Sequence, residues 1–130
     1  MSVQHFDHGN AAPALPFSAA VRAGDFVFVS GQVAKGDDGA IVAGDIEEHT
    51  RQTMRNVEQA LALAGCTLGD VVKVTVWLQD AADFPRFNSV YREFFPGPKP
   101  TRSTTEAKLM VESRIEVEAI AWKPSTQSVR

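Results

Sequence analysis

Short runs of β-prone residues, separated by turn formers, occupy the first third of the chain. Two hairpins are predicted, each from a pair of such runs: 18–22 with 26–30, and 33–35 with 40–42. Gly24 and the segment Gly36-Asp37-Asp38-Gly39 suit turns, and the two aspartates are interpreted as turn formers only. Gly31 directly follows a β-prone run, which indicates either a bulge or a group that closely approaches the backbone.

From Ile46 the apolar period lengthens to three and four residues, which predicts an amphipathic helix ended by Gly65. Its stripe consists of Ile46, Thr50, Thr53, Met54, Val57, Leu61 and Ala64. Between Val71 and Gln79 the period returns to two, which predicts a long strand. Its apolar face, which needs a helix to cover it, consists of Val72, Val74, Val76 and Leu78.

Aromatic residues at helical spacing predict a second helix after this strand. They are Phe84, Phe87, Tyr91, Phe94 and Phe95. Asp83 is expected to cap the helix, with Pro85 in its first turn. The segment Pro96-Gly97-Pro98 is expected to end it.

Two further strands, 102–108 and 114–122, are predicted after this helix and are joined by a short loop. The predicted order is β-β-β-β-α-β-α-β-β. The fold class is therefore α+β, a mixed sheet with two helices packed on one face. The other face would carry Trp77, Ile120 and Trp122 among polar neighbours, which indicates self-association through that face.

The composition indicates one globular domain. The 130 residues are 44% hydrophobic and 22% charged, which excludes disordered and coiled-coil classes of protein. We expect residues 1–124 to form a single domain and residues 125–130 a polar tail. The formal net charge of -3 argues against nucleic-acid binding, because such a protein has no overall attraction to a polyanion.

Cysteine usage and apolar segments indicate the compartment. Cys66 is a single cysteine and cannot form an internal disulfide, which favours a reducing environment. The N-terminus lacks the basic and apolar regions of a secretory signal. The longest apolar stretch, 71–78, contains Lys73 and is shorter than the roughly 20 residues of a membrane helix. We therefore expect a cytoplasmic protein without a membrane span.

The sequence contains no phosphate-binding loop, dinucleotide-binding glycine motif, zinc-protease motif or nucleophile elbow. His5, His8 and His49 fall in or near predicted surface segments and are interpreted as bystanders rather than metal ligands. Cys66 is interpreted as a small, partly buried hydrophobic residue rather than a nucleophile. We expect no cofactor and no metal.

Arg102 and two glutamates are the candidate chemical groups. Arg102 begins a strand, and its guanidinium can bind a carboxylate through two parallel hydrogen bonds. The alternatives are a surface arginine or an ion pair with Glu106 or Glu118. Glu116 and Glu118 share one face of the last strand. A glutamate enclosed at an interface would have a raised pKa and could transfer protons, whereas the alternative is a solvated acidic face.

Several short segments occur in a specific order along the chain. They are Pro16-Phe17-Ser18, Phe28-Val29-Ser30-Gly31-Gln32, Gln52-Thr53 with Asn56, Ala64-Gly65, Asp70 to Val76, Asp83-Phe84 with Asn88, Tyr91 and Phe94-Phe95, Pro100-Thr101-Arg102-Ser103, and Ile115 to Ala121. Together they resemble the Rid family, also called YjgF/RidA or L-PSP, over nearly the whole chain. The resemblance implies a chorismate-mutase-like fold and a homotrimer whose sheet faces form the inner core. It also implies clefts between subunits that hydrolyse reactive enamines and imines, such as 2-aminoacrylate, to 2-oxo acids and ammonia.

The same resemblance implies roles for individual residues. Arg102 matches the carboxylate-binding arginine of the family, and Glu116 matches its acidic residue near the hydrolytic water. Other cleft positions are matched by Ser30, Gly31 and Asn88.

Two substrate-binding positions depart from the family pattern. Phe17 stands where the family has a tyrosine, and Thr104 where it has a cysteine two residues after the arginine. The hydroxyl missing at Phe17 favours a larger or more apolar imine side chain. Thr104 keeps a hydroxyl that can donate to the substrate carboxylate.

The sequence leaves three alternative functions, and a sensor is the one that its residues support best. A non-catalytic sensor of 2-oxo acids or amino acids would use the same cleft and would need Arg102 but not Glu116. A ribonuclease or translation inhibitor would need a basic and aromatic surface, which the net charge of -3 argues against. A scaffold or chaperone-like protein has no positive signal in the sequence.

Overall fold

The computed structural model describes residues 3–8 and 15–124, and the predicted tail at 125–130 lies outside them. Strands and helices follow one another as β1 (Val3–Phe6), β2 (Ala20–Ala23), β3 (Phe26–Gln32), α1 (Ile46–Leu63), β4 (Val71–Leu78), α2 (Phe84–Phe94), β5 (Thr101–Glu106) and β6 (Ile115–Trp122). Short 3₁₀ turns, Leu68–Asp70 and Ala81–Asp83, precede β4 and α2.

All described strands belong to one sheet, in the order β1-β2-β3-β6-β4-β5. Strands β4 and β5 pair in parallel, and the other neighbours pair antiparallel. The prediction of an α+β fold with a mixed sheet is therefore confirmed. Because β4 lies between β5 and β6, the loop 107–114 crosses the end of β4 and does not close a hairpin.

Both helices cover one face of the sheet. Asp45 caps α1 by accepting hydrogen bonds from the backbone of Glu47 and Glu48, and Gly65 follows the helix with a φ of 78°. The core between helices and sheet includes Val27, Val29, Met54, Leu61, Val74, Val76, Phe87, Tyr91, Ile115 and Val117. Each fully buried side chain of this size stabilises the fold by about 1.5 to 3 kcal/mol relative to an exposed one.

The predicted hairpin between 33–35 and 40–42 forms only one isolated bridge, from Lys35 to Ile41. The Nδ2 of Asn56 on α1 donates to the carbonyl oxygens of Val33 and Lys35 at 2.8 and 2.9 Å. The two arms still pair, because the N–H groups of Gly36 and Val42 donate to the carbonyl oxygens of Ala40 and Ala34 at 2.8 and 2.9 Å. The predicted hairpin is therefore present as a short turn, but its arms do not form strands of the sheet. The sheet has one strand that was not predicted, β1, which pairs along β2.

A bulge in β4 changes the predicted alternation of side chains. The pairing of β4 with β6 shifts between Val71 and Lys73, so that Val71 is buried and Val72 is exposed. The prediction that Val72 belongs to the apolar face is therefore wrong, whereas Val74 and Val76 are buried as predicted.

Asp83 precedes α2 but makes no capping hydrogen bond with its side chain. Its Oδ2 lies 3.9 Å from Nη1 of Arg114. Asp80 caps the preceding 3₁₀ turn by accepting from the backbone N–H of Ala82 at 2.9 Å. The prediction that Asp83 caps α2 is therefore wrong. The side-chain cap lies at Asp80, whose turn leads directly into the helix.

His49 is buried in α1, contrary to the surface position expected for it. Its Nε2 lies 2.9 Å from the carbonyl oxygen of Val42, and its Nδ1 accepts from the backbone N–H of Arg114 at 3.1 Å. Since the first partner only accepts and the second only donates, Nε2 carries the proton. The ring thereby joins the loop before α1 to the start of β6.

The sheet face opposite the helices carries large apolar side chains. On this face Phe26 lies opposite Trp122, and Phe28 opposite Ile120. Phe28 is 44% exposed in the single chain. Burial of such a patch by a second copy would be favourable, so self-association through this face remains the prediction.

Phe28→Asp places a charge in this patch, and we expect it to abolish self-association because the charge would lose its hydration at the interface. Light scattering at micromolar protein should give the parent a mass near three times 14.1 kDa and the variant the mass of one chain. Met110→Asp is the control, since Met110 is 91% exposed in the loop between β5 and β6. A monomeric parent would contradict the prediction.

Candidate functional site

Arg102 lies on β5, which forms one edge of the sheet. The strand register places it opposite Val74, whose side chain is buried beneath the helices. Because neighbours in register share a face, Arg102 lies on the helix side of the sheet. Its Cζ lies 5.7, 5.1 and 4.7 Å from three ring centroids of α2, those of Phe84, Phe87 and Tyr91.

Arg102 forms no ion pair among the residues that the structure describes. The Oε2 of Glu106 accepts instead from the backbone N–H of Ala81 at 2.8 Å. Glu118 pairs in register with Thr75, which places it on the opposite sheet face. Neither ion pair considered from the sequence is therefore present, and the guanidinium is held against neutral rings.

A cleft of about 410 Å³ opens beside Arg102. It is lined by Asn88, Tyr91, Arg92, Phe95, Lys99, Pro100 and Arg102. The Nζ of Lys99 donates to the carbonyl oxygens of Phe95 and Gly97 at 2.7 and 3.1 Å, which fixes the loop after α2. Among the described residues, the lining contains three cationic side chains and no carboxylate, so the cleft favours an anionic ligand.

Tyr91 is a cleft residue that sequence reasoning assigned only to a helix face. Its hydroxyl is buried near Arg102 and forms no hydrogen bond of good geometry among the described residues. Burial raises the pKa of Tyr91, and the neighbouring Arg102 opposes that shift. The spacing of Phe84, Phe87 and Tyr91 indicated a shared helix face, but nothing in the sequence indicated that Arg102 would lie on it.

Glu116 lies on β6 opposite Trp77, on the face that the helices leave open. Burial raises the pKa of Glu116, and the nearby Glu118 carboxylate raises it further. A partly enclosed carboxyl of this kind holds a proton at higher pH than an ordinary glutamate. The shift is in the direction expected of a glutamate that transfers protons.

Gly31 lies against the carboxyl group of Glu116. The pairing of β3 with β6 shifts between Val29 and Gln32, which is a bulge at this position. A Cβ atom at Gly31 would overlap Oε2 of Glu116 and lie 3.0 Å from its Cδ. Both interpretations of Gly31 from the sequence therefore apply, because it lies in a bulge and permits a close approach.

Phe17 and Ser30 lie near the same end of β3. The Oγ of Ser30 donates to the carbonyl oxygen of Ser18 at 2.6 Å, which fixes the segment that carries Phe17. The ring of Phe17 is half exposed and meets the ring of His8 edge to face, with centroids 5.3 Å apart. An exposed aromatic ring beside Ser30 and Gly31 is available to contact a ligand.

Thr104 lies opposite Val76 on β5 and therefore shares the helix side with Arg102. Its Oγ1 is buried and has no hydrogen-bond partner within the described ranges of the chain. Thr104 lines a second, smaller cavity of about 210 Å³ together with Phe84 and Glu106. It is thus a neighbour of Arg102 along the strand but not a residue of the larger cleft.

The proposed site residues form two groups on opposite faces of the sheet. Arg102 and Asn88 line the cleft on the helix side, whereas Glu116 lies beside Gly31 on the open side. One chain does not bring the arginine and the glutamate together, because the sheet separates them. Joint action on one ligand requires the second group to come from another copy of the chain.

Among the described residues, no group of three or more His, Cys, Asp or Glu is placed to hold a metal ion. Within the same residues, no helix combines the length and the apolar character needed to cross a membrane. Cys66 is buried, and burial raises the pKa of its thiol, which opposes formation of the reactive thiolate.

Comparison with protein families gives a match to the family model described as Endoribonuclease L-PSP, over residues 9–123. A RutC family protein of Pyrococcus horikoshii is 43% identical over 120 residues, covering 91% of this chain and 95% of the relative. The 2-iminobutanoate/2-iminopropanoate deaminase of Mus musculus is 40% identical, covering 82% of this chain and 80% of the relative. Protein mmf2 of Schizosaccharomyces pombe, 43% identical over 82% of this chain and 86% of its own, is named as mitochondrial. A cytoplasmic location for this chain therefore stays a prediction.

Solved structures with the same fold are similar over most of their length. Yeast Mmf1 superposes with a TM-score of 0.87 at 36% identity, covering 94% of this chain and 99% of its own. Escherichia coli TdcF, solved with bound serine, has a TM-score of 0.79 at 35% identity, covering 84% and 89%.

Gly31→Ala should displace the Glu116 carboxyl group, because the added methyl group occupies its position. We expect the pKa of Glu116 to fall towards that of an ordinary glutamate as the carboxyl becomes more solvated. The measurement is an NMR titration of the Glu116 side-chain carboxyl carbon. Gly69→Ala is the matched control, since its Cβ would meet only Oγ1 of Thr67, at 3.5 Å. An unchanged pKa in Gly31→Ala would show that Gly31 does not determine the position of the carboxyl.

Proposed function

Because the chain belongs to the Endoribonuclease L-PSP family, also called YjgF/RidA, we propose that it hydrolyses reactive 2-imino acids and their enamines to 2-oxo acids and ammonia. Relatives at about 40% identity that are named 2-iminobutanoate/2-iminopropanoate deaminases support this reaction class. The observation that carries the proposal is the Arg102 guanidinium, which lines a cleft and has no carboxylate partner in the described part of the chain.

Arg102 is proposed to bind the substrate carboxylate. Its fork of N–H donors matches the two oxygens of a carboxylate, and a charge that no acid neutralises strengthens this interaction. Fixing the carboxylate also fixes the adjacent C=N carbon, because the two are directly bonded. Arg102 thereby contributes orientation, which lowers the entropic part of the barrier.

Glu116 is proposed to transfer the protons. As a carboxylate it removes one proton from water while the water oxygen bonds to the imine carbon and the C=N π electrons pass to nitrogen. The protonated Glu116 returns this proton to the nitrogen, which gives a tetrahedral carbinolamine. Glu116 then removes the hydroxyl proton and delivers it to the amine nitrogen, so that the carbonyl re-forms as the C–N bond breaks and ammonia leaves. The raised pKa of Glu116 suits a group that first accepts and then returns a proton.

A homotrimer is proposed as the form in which the site is complete. The open sheet face carries Glu116 together with the exposed apolar rings of Phe26 and Phe28. Association through this face would bring Glu116 of one copy towards a cleft containing Arg102 of its neighbour. The proposal explains why the two groups lie on opposite faces within one chain.

Phe17 and Thr104 are proposed to influence which substrate is preferred. The Phe17 ring contributes apolar surface without a hydroxyl, which favours imino acids with apolar side chains. Thr104 lies two residues after Arg102 on the same sheet face, and its buried hydroxyl has no partner among the described residues, which makes it a candidate donor to the substrate carboxylate.

A non-catalytic sensor of small carboxylates remains the second candidate function, and the relative solved with bound serine favours it. Such a protein would use Arg102 and would not need Glu116 to transfer protons. Hydrolysis of RNA, which the family description names, is disfavoured by the net charge of -3.

The deciding assay generates 2-imino acids in situ with an amino acid oxidase and follows 2-oxo acid and ammonia release above the spontaneous rate. We expect the parent to accelerate release and Glu116→Gln to reduce kcat by about 10²- to 10⁴-fold, because the amide cannot accept a proton. As the pH falls through the raised pKa of Glu116, the carboxylate is lost, so kcat of the parent should fall at a higher pH than for an ordinary glutamate. Glu58→Gln is the control, because Glu58 is exposed on α1. Parent and Glu116→Gln proteins that bind carboxylates but do not accelerate release would favour the sensor.

Arg102→Ala should reduce kcat/KM by an amount equivalent to about 2 to 5 kcal/mol, because the substrate carboxylate loses its counter-charge. Arg102→Lys should recover only part of this loss, since lysine restores the charge without the planar fork. Arg51→Ala is a matched control, because Arg51 pairs with Glu93 on the surface at 3.1 Å. Unchanged steady-state kinetics in Arg102→Ala would exclude the carboxylate-binding role.

A further inference from the structure

Three rings on α2 lie beneath the Arg102 guanidinium, and we call Phe84, Phe87 and Tyr91 the aromatic platform. Resting on the proposed role of Arg102, we propose that this platform positions the guanidinium for the substrate carboxylate and that Phe87 is a positioning residue. The Cζ atom of Arg102 lies 4.7 Å from the Tyr91 centroid, 5.1 Å from that of Phe87 and 5.7 Å from that of Phe84. All three distances fall within the roughly 6 Å over which a cation and an aromatic face attract each other.

The platform follows from two independent regularities of the fold. Positions 84, 87 and 91 recur at helical spacing, so their rings share one side of α2. The Phe87 ring lies between the others, with centroids 6.4 Å from Phe84 and 5.3 Å from Tyr91. Parallel pairing of β5 with β4 then places Arg102 on the same side of the sheet as this helix.

Aromatic rings orient a guanidinium without neutralising it. A carboxylate partner would also fix the side chain, but it would compete with the substrate carboxylate for the same N–H donors. The acidic groups on neighbouring segments are directed elsewhere, since Glu106 accepts from the N–H of Ala81 and Asp83 lies 3.9 Å from Arg114. The cation consequently keeps its charge and its hydrogen-bonding groups available for a ligand.

Phe87 provides the decisive position within the platform. Its side chain is fully buried and is not among the residues that line the cleft. Tyr91, by contrast, lines the cleft and could contact a ligand directly. Any effect of Phe87 on ligand binding therefore has to pass through Arg102, through the neighbouring Tyr91 or through the general stability of the core.

The experiment compares Phe87→Leu with Phe94→Leu, which removes another ring from the same helix. Phe94 packs against the core but belongs neither to the platform nor to the cleft lining. Two quantities are measured in each protein: the NMR signal of the Arg102 Nε–H group, assigned by its loss in Arg102→Lys, and the Kd for 2-oxobutanoate. Urea unfolding reports the change in core stability separately.

In Phe87→Leu we expect the Arg102 Nε–H signal to lose ring-current shift and order. The Kd for 2-oxobutanoate should rise about three- to tenfold, the effect of one lost cation–ring contact. In turnover assays KM should rise by a similar factor while kcat changes less than about twofold. Phe94→Leu should match the parent in all these measurements even where it is less stable.

Equal Arg102 signals and equal Kd values in Phe87→Leu and Phe94→Leu would overturn the platform proposal while leaving the hydrolytic function intact. A parent that binds 2-oxobutanoate without catalysing imine hydrolysis would instead refute the proposed function, and the Kd comparison would still decide on the platform. In the Arg102→Ala background, a further loss of affinity on adding Phe87→Leu would also contradict the proposal. Should Phe87→Leu fail to fold, Phe87→Met carries the same comparison with a side chain that fills more of the cavity.

Discussion

The alternation of side chains between the two faces of one sheet is the constraint on which the candidate site depends. On β6, Ile115, Val117, Ala119 and Ala121 are buried beneath the helices, so the intervening Glu116 and Glu118 have to lie on the opposite face. A shift of one residue in register would bury both glutamates, at a cost that the fold could not offset. The core thus holds Glu116 in place through the register, and the same rule places Arg102 on the helix side of β5. The alternation of side chains that buries the core therefore also separates Arg102 from Glu116 within one chain.

The two charged groups are accommodated by different physical means. An arginine side chain keeps its positive charge, and the rings of α2 partly compensate for the lost hydration of the Arg102 guanidinium. Glu116 can take up a proton, so partial enclosure appears as a raised pKa. Gly31 permits the partial enclosure of Glu116, because a side chain at position 31 would occupy the space of the carboxyl group. The charged form of each group is thereby less well solvated than on an open surface, which strengthens its interaction with a ligand.

Local patterns predicted the helices and most strands, whereas features that depend on distant pairing could not be read from the sequence. The stripe from Ile46 and the alternation of β6 correspond to α1 and to the buried face of the sheet, because each pattern is set by its own element. Val72 was placed on the wrong face since the bulge in β4 depends on the pairing with β6. His49 was assigned to the surface because its two hydrogen-bond partners, Val42 and Arg114, come from separate segments. Arg102 was identified as a candidate, but its aromatic neighbours required knowledge that β5 pairs with β4 rather than with β6.

The composition of β5 has a consequence for how copies of this chain can assemble. The strand reads Thr101-Arg102-Ser103-Thr104-Thr105-Glu106 and lies at an edge, where one row of backbone groups is unpaired. A flat apolar edge would invite strand addition and open-ended fibrils, but charged side chains and threonine hydroxyls favour hydration of this edge over such growth. The exposed apolar surface lies instead on the open sheet face, at Phe28 and its neighbours. Contacts made through a face can close into a finite ring of subunits, so the polar composition of the strand that carries Arg102 also disfavours polymerisation.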